Sequence, residues 1–149
     1  MLLIFVALLV FAADRVTKLL VEQHLPLDRP VSLIDGLVYL THTQNTGAAF
    51  SLGRSYGTFY LVFALVASVV IVVVYRRLGP GQLVLRVAMG MILGGALGNA
   101  FDRLVSSSVT DFIDLRWWPV FNLADSCIVV GAVLIVLDQV FSRRHPAPE

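Results

Sequence analysis

Two aspartates in the second half of the chain are the residues best suited to chemistry. Asp111 lies in the short stretch Val109–Asp114, and Asp125 lies about eight residues into an apolar stretch that begins at Trp117. A helix that begins there places Asp125 roughly 10 Å from its start, with Asn122 one turn earlier on the same face. If the fold brings the two carboxyl groups together, both cannot ionise, and a shared proton supplies an acid and a base at neutral pH. Such a pair could activate water against a peptide bond.

Other polar residues lie in or beside apolar stretches, where an unpaired charge costs several kcal/mol. Asp14 and Lys18 are spaced i,i+4 with the acid first, the favourable order for an ion pair on one helix face. A purely structural pair explains them equally well. Asn99, Asp102 and Arg103 are spaced i, i+3 and i+4, so they share a helix face and could orient one another and a substrate.

The motifs of several other chemistries are absent from the sequence. It contains no HExxH, no GxSxG and no phosphate-binding glycine motif, and its three histidines are scattered. The single cysteine, Cys127, excludes an internal disulfide and any CxxC site, and we interpret it as a structural thiol. We therefore expect neither a metal nor a cofactor. The chain has 11 Lys and Arg against 10 Asp and Glu, so it lacks the excess of positive charge that is typical of nucleic-acid binding.

The composition is that of a membrane protein. Hydrophobic residues make up 58% of the 149 residues and charged residues 14%, whereas soluble domains average roughly 45–50% apolar residues, glycine included, and about 25% charged. A soluble chain of this length could not bury so much apolar surface. We predict one membrane-embedded domain covering residues 1–149.

Four apolar stretches are long enough to cross about 30 Å of hydrocarbon as helices. We predict transmembrane helices at about residues 1–21, 56–75, 83–101 and 117–137. The first stretch lacks a basic start and is followed by three more spans, so it does not fit the pattern of a signal peptide. Arginines follow the second and fourth stretches, so the positive-inside rule predicts cytoplasmic termini and a short cytoplasmic tail at about 141–149. The connections at about 22–55 and 102–116 then lie outside.

The first outer connection contains a β-rich run. From Leu37 to Thr43, residues with high strand propensity follow one another, and odd-numbered positions alternate with even-numbered ones on two faces. This run predicts a small sheet on the membrane surface. The predicted fold is an all-α membrane protein: a four-transmembrane-helix bundle with an extracytoplasmic β-sheet cradle between helices 1 and 2.

Five short motifs, in this order, resemble those of the lipoprotein signal peptidase family (signal peptidase II), which are bacterial membrane aspartyl peptidases. The motifs are DRVTK at 14–18, NTGAAF at 45–50, GGALGNAFDR at 94–103, VTDF at 109–112 and FNLAD at 121–125. Each motif is weak alone. Five in order along a four-span chain are specific, and the resemblance covers nearly the whole length.

The resemblance implies a role for each polar residue named above. Asp111 and Asp125 would form the catalytic dyad. The remaining residues would bind substrate, orient the carboxylates or support the fold: Asp14, Lys18, Asn45, Asn99, Asp102, Arg103 and Asn122.

The resemblance also implies the reaction and its setting. The enzyme would remove the signal peptide of a prolipoprotein by cleaving just before a cysteine that already carries diacylglycerol, at the outer face of the bacterial cytoplasmic (inner) membrane. Its partners would be the diacylglyceryl-prolipoprotein, membrane lipid and a globomycin-type cyclic peptide inhibitor. We expect a monomer that needs no cofactor and binds no nucleic acid.

A small proton-coupled carrier is the alternative function, because intramembrane aspartates also form proton relays. A carrier would be expected to place its carboxylates near the midplane, often in inverted repeats. In this sequence Asp14, Asp102, Asp111 and Asp125 gather toward the outer side and no repeat is visible. A third interpretation, a purely structural subunit, would not explain the cluster of Asn45, Asp111 and Asp125.

Overall fold

The computed structural model describes residues 1–46 and 55–142, with the side chains of the second part described from 59 to 141. The elements, in chain order, are α1 (Leu2–His24), β1 (Pro30–Ile34), β2 (Val38–Asn45), α2 (Ser55–Tyr75), α3 (Leu83–Ser106), β3 (Val109–Asp114) and α4 (Leu123–Ser142). Most of the predicted tail and residues 47–50 of the second motif lie outside the described residues.

The four predicted helices are present, but two of them have different ends. α3 runs to Ser106, where Ser107 adopts a left-handed conformation, so Asp102 and Arg103 lie within the helix. The prediction that the last helix begins near Trp117 is wrong, because α4 begins at Leu123. The chain turns at Arg116, whose φ is 67°. Asp125 therefore lies in the first turn of α4.

The predicted sheet is confirmed and is larger than expected. It has three antiparallel strands in the order β1, β2, β3. An Asp35–Gly36 turn joins β1 to β2, and Gly36 supplies the positive φ of 75°. β3 comes from the connection after α3, and it pairs with β2 so that Asp111 lies opposite Thr43. The sheet thus joins both predicted outer connections.

α3 is the central helix, and its glycines permit close packing on both sides. A Cβ atom on Gly94 would lie 2.5 Å from the backbone oxygen of Ala7 in α1, and one on Gly98 would lie 2.6 Å from Oδ2 of Asp14. A Cβ atom on Gly95 would lie equally close to the backbone of α4. The glycines of α3 are spaced GxxxGxxxG, a pattern typical of close helix approach. Gly98 additionally makes the room that Asp14 needs.

The outer surface of the helices is strongly apolar. Leu8, Phe63, Val69 and Val129 each expose more than 60% of their surface. Among the described residues, Leu83–Ser106 and Leu123–Phe141 are long and apolar enough to cross a membrane, and Phe59–Tyr75 is a shorter apolar helix. Contiguous apolar surface of this extent requires cover from lipid or from a partner.

Candidate active site

Asp125 is held at the start of α4 by a reciprocal cap. The side-chain Oδ1 of Asn122 accepts a hydrogen bond from the backbone N–H of Asp125 at 2.9 Å, and Oδ2 of Asp125 accepts one from the backbone N–H of Asn122 at 3.3 Å. The spacing of three residues is that of a capping box. The cap fixes the direction of the carboxylate, and the positive end of the helix dipole stabilises its negative charge.

Asp111 is positioned by the sheet. It lies on β3 with only 2% of its surface exposed. Oδ2 accepts a hydrogen bond from Nδ2 of Asn45 at 2.9 Å, and Oδ1 accepts one from Nδ2 of Asn122 at 2.7 Å. Because Thr43 is the register partner of Asp111, Asn45 is its diagonal neighbour on the same face of the sheet. Strand pairing therefore carries Asn45 to the carboxyl group.

Asn122 and Asn99 join the two carboxyl groups into one network. Asn122 donates to Asp111 through its side chain and to Asp125 through its backbone. Asn99 of α3 donates from Nδ2 to Oδ1 of Asp125 at 2.7 Å and accepts from Nδ2 of Asn122 at 3.1 Å. Five of the residues singled out in the sequence thus meet at one end of the bundle: Asn45, Asn99, Asp111, Asn122 and Asp125.

The surroundings of Asp111 change its acidity. Burial raises the pKa of Asp111 to about 6, although the hydrogen bonds from Asn45 and Asn122 oppose the rise, and the charge of nearby Asp125 adds to it. A carboxyl group with this pKa exchanges its proton close to neutral pH. Asp111 is therefore suited to hold and donate a proton.

An ionic cluster lies beneath this network. Nζ of Lys18 lies 2.8 Å from Oδ2 of Asp14 and 2.7 Å from Oδ2 of Asp102, and all three side chains are buried. Asp14 also accepts the backbone N–H of Ala124 at 3.0 Å, which ties α1 to α4. The predicted i,i+4 pair is present, and it forms part of a larger set.

Arg15 is a member of this cluster that the sequence reasoning did not assign. Its guanidinium pairs with Oδ1 of Asp102 and lies over the ring of Phe101, 4.9 Å from the ring centroid. The signal that could have found it is its place in an apolar helix, where a charged side chain needs a partner. Two cations and two carboxylates balance in this cluster.

Arg103 and Asp102 were expected to orient one another from one helix face, but the structure separates their contacts. Asp102 turns toward α1, and the guanidinium of Arg103 instead donates to the backbone oxygen of Asn99 at 3.3 Å and lies 5.0 Å from the ring centroid of Tyr60. Its positive charge still interacts with both Asp125 and Asp111. Arg103 thus links α2 to the carboxyl network without an ion pair inside the described part of the chain.

A second unassigned contact fastens the sheet to α1. Thr110, the neighbour of Asp111, donates to Oε1 of Glu22 at 2.6 Å and accepts from Nε2 of Gln44 at 3.0 Å. The sheet carrying Asp111 is therefore tied to the helix that carries the ionic cluster.

An apolar groove opens beside Asp125. Its volume is about 350 Å³, and its walls come from the turn before α4 and from one face of α4. The lining residues are Leu115, Trp117, Trp118, Phe121, Asp125, Ser126, Val129 and Val130. A carboxyl group at the wall of an apolar groove can meet a substrate that is itself largely apolar.

Two carboxyl groups bridged by an amide, on a helix bundle with an apolar exterior, are suited to acid–base chemistry in a membrane enzyme. Residues 6–141 match the family described as signal peptidase (SPase) II. The chain belongs to that family, as its motifs predicted. The match favours a peptidase over the proton-coupled carrier.

Named relatives and solved structures agree with this family. The lipoprotein signal peptidase of Halothermothrix orenii is 41% identical over 134 residues, which are 89% of this chain and 90% of that protein. The one from Pseudomonas aeruginosa PAO1 is 42% identical over 150 residues, covering 95% and 89%. A solved bacterial membrane enzyme superposes with a TM-score of 0.88 at 27% identity, covering 99% of this chain and 93% of its own. A second superposes at 0.86 and 28%, covering 92% and 91%.

Proposed function

We propose that this protein is a lipoprotein signal peptidase of the aspartic type, which removes the signal peptide from diacylglyceryl-modified prolipoproteins just before the lipidated cysteine. The observation that carries the proposal is the pairing of Asp111 and Asp125 through Asn122, in a chain whose relatives bear that name. Amide donors reach both carboxyl groups, and Asp111 is buried whereas Asp125 is only half-buried. Such a difference in environment is what an acid–base pair requires.

In the proposed reaction the two aspartates have different roles. Asp125, in the first turn of α4, takes a proton from the attacking water as that water adds to the scissile carbonyl carbon. Asp111, whose pKa is about 6 because of its burial, donates its proton to the carbonyl oxygen. When the tetrahedral intermediate collapses, the C–N bond breaks, the leaving nitrogen takes the proton that Asp125 had accepted, and Asp111 takes a proton back from a hydroxyl group of the intermediate.

The membrane placement follows from the distribution of polar and aromatic residues. We infer that all four helices span the bacterial cytoplasmic membrane, with the sheet and the carboxyl pair at the outer side. Trp117 and Trp118 are exposed near the carboxyl pair, as side chains at a membrane interface are. Arg76 and Arg77 follow α2 at its other end, which supports a cytoplasmic loop there.

The lipid on the substrate is the proposed reason that the site lies at the outer side of the membrane. A cysteine carrying diacylglycerol holds the adjacent peptide bond close to the membrane interface, so the enzyme must meet it from within the lipid. The apolar groove beside Asp125 supports this role. The carboxyl network is complete within one chain, so a monomer suffices, and a globomycin-type cyclic peptide would compete for the same site.

The proposal is tested by cleavage of a diacylglyceryl-modified prolipoprotein in detergent, followed by gel shift. The controls are the unlipidated prolipoprotein and one whose target cysteine is replaced by serine. We expect the purified protein to cleave the lipidated form alone. If the well-folded protein cleaves none of the three, the proposed activity is wrong, and cleavage of all three would exclude lipid recognition.

Asn45→Ala is expected to lower turnover about tenfold and to shift its pH dependence. The amide of Asn45 lowers the pKa of Asp111, so its loss lets burial raise that pKa above about 6. If protonated Asp111 is the acid, the alkaline limb of kcat/KM moves to higher pH. The measurement is kcat/KM against pH, with Ser32→Ala on β1 as control.

The same variant tests the role of the first outer connection, which holds Asn45. We predict that this connection acts as a cradle or lid over the site, with Asn45 as its contact with the carboxyl pair. Lost activity in a folded Asn45→Ala protein would support that role. Unchanged turnover with an unchanged pH profile would remove Asn45 from the site.

A further inference from the structure

Lys18 is the only lysine in the sequence, and it is fully buried. Its Nζ lies 2.8 Å from Oδ2 of Asp14, 2.7 Å from Oδ2 of Asp102 and 3.0 Å from Oδ1 of Asn99. An ammonium group has three donors and no acceptor. The contact with Asn99 is a hydrogen bond, and the two carboxylate contacts are ion pairs.

Charge balance accounts for two of these contacts. Lys18 and Arg15 supply two positive charges, and Asp14 and Asp102 supply two negative charges. The third contact, to the neutral amide of Asn99, adds nothing to this balance. It connects the ionic cluster to the carboxyl network instead.

The third contact determines which way the Asn99 amide faces. Because an ammonium group only donates, it requires the acceptor Oδ1, and Nδ2 then turns to Oδ1 of Asp125 at 2.7 Å. Asn122 adds a second, uncharged donor to Oδ1 of Asn99 at 3.1 Å. In the reversed orientation, the amide oxygen would face the Asp125 carboxylate and the amide N–H groups would face the ammonium. Both contacts would then be repulsive.

We propose that Lys18 is a positioning residue for catalysis, which holds the Asn99 amide so that its Nδ2 donates to Asp125. This inference rests on the proposed peptidase function. The bond from Asn99 fixes Oδ1 of Asp125. Oδ2, which accepts the longer bond from the Asn122 backbone at 3.3 Å, is left to take the proton of the attacking water.

The kinetic test removes the lysine donor to Asn99 in double variants whose ionic cluster stays neutral. Asp14→Asn is the reference, and its own rate sets the baseline. Asp14→Asn/Lys18→Met then removes one charge of each sign and leaves the Arg15 pair with Asp102 in place. Asp14→Asn/Lys18→Gln restores a neutral donor that can reach Asn99. The two double variants have the same charge and differ at position 18 chiefly in whether the side chain can donate, whereas the reference retains the charged lysine.

We expect the Lys18→Met combination to lower kcat about 10- to 100-fold relative to the reference, the range typical of lost orienting groups. The two double variants should match each other in KM and melting temperature, and the Lys18→Gln combination should recover part of kcat. A purely structural lysine would instead lower stability without this recovery. Equal kcat in the Met combination and the reference would overturn the proposal.

A measurement on the native lysine covers the case in which these variants fail to fold. With lysine labelled by ¹⁵N, a single side-chain ammonium resonance reports on Lys18, because the chain has no other lysine. Asn99→Leu should shift that resonance and speed the exchange of its protons. An unchanged resonance would show that no such hydrogen bond exists. Failure of the unmodified protein to cleave the lipidated substrate would instead count against the proposed function alone.

Discussion

Asp111→Asn and Asp125→Asn are each expected to lower turnover of the lipidated substrate by roughly 10²- to 10⁴-fold, the range that general acid–base catalysis contributes. Asparagine keeps the size of aspartate and cannot ionise. Because the two groups act as a pair, the double variant should be scarcely slower than either single one. Initial rates in the gel-shift assay measure this directly.

Folding must be followed in the same variants, because the two sites differ in their contacts. Asp111 accepts an amide donor on each carboxyl oxygen, whereas asparagine has one acceptor, so Asp111→Asn leaves one donor poorly paired. We expect a loss of about 1–2 kcal/mol there. Asp125 also accepts a donor on each oxygen, from Asn99 at 2.7 Å and from the Asn122 backbone at 3.3 Å, so Asp125→Asn weakens one of these bonds too. Because Asp125 is only half-buried, we expect a smaller loss there.

Asp138→Asn is the matched control, since Asp138 lies on the same helix as Asp125, thirteen residues further along. That distance is about 20 Å, so the substitution changes charge equally without touching the site. We expect full activity from it. Turnover above one tenth of the unmodified rate in either Asp111→Asn or Asp125→Asn would show that the carboxyl group is not the catalytic acid or base.

The parts of the fold that depend on local pattern are predictable from the sequence. Apolar stretches of about 20 residues satisfy their own backbone hydrogen bonds as helices, and α1 and α2 begin and end within three residues of the prediction. The i,i+4 contact of Asp14 with Lys18 is likewise a property of a single helix.

The parts that depend on distant segments were not predictable. β3 pairs with β2 across more than 60 residues of chain, and no local signal specifies that register. The left-handed turn at Arg116 delays α4, since an arginine there gives no sign of a positive φ. Strand pairing and this turn decide where Asp111 and Asp125 lie. The residue types of the site could be predicted, whereas the amide bridges between them could not.

Lys18→Met alone is expected to cost about 3–5 kcal/mol of stability, the effect of removing one partner of a buried ion pair. Asp102 keeps Arg15, but Asp14 retains only the backbone N–H of Ala124 and is fully buried. Its charge then has no counterion in a site from which water is excluded. Thermal unfolding in one detergent, with the exposed Arg29→Met as control, measures the loss.

Adding Asp14→Asn to Lys18→Met should recover most of that stability, because the remaining pair of Arg15 and Asp102 is again neutral and asparagine still accepts the Ala124 N–H through Oδ1. Recovery of stability without recovery of turnover would separate the two functions of one side chain. The charge of Lys18 holds α1 against α3, while its hydrogen bond to Asn99 orients the amide beside Asp125. If the double variant is as unstable as Lys18→Met, charge balance is not what stabilises the cluster, and the packing of the lysine stem against its neighbours carries the stability instead.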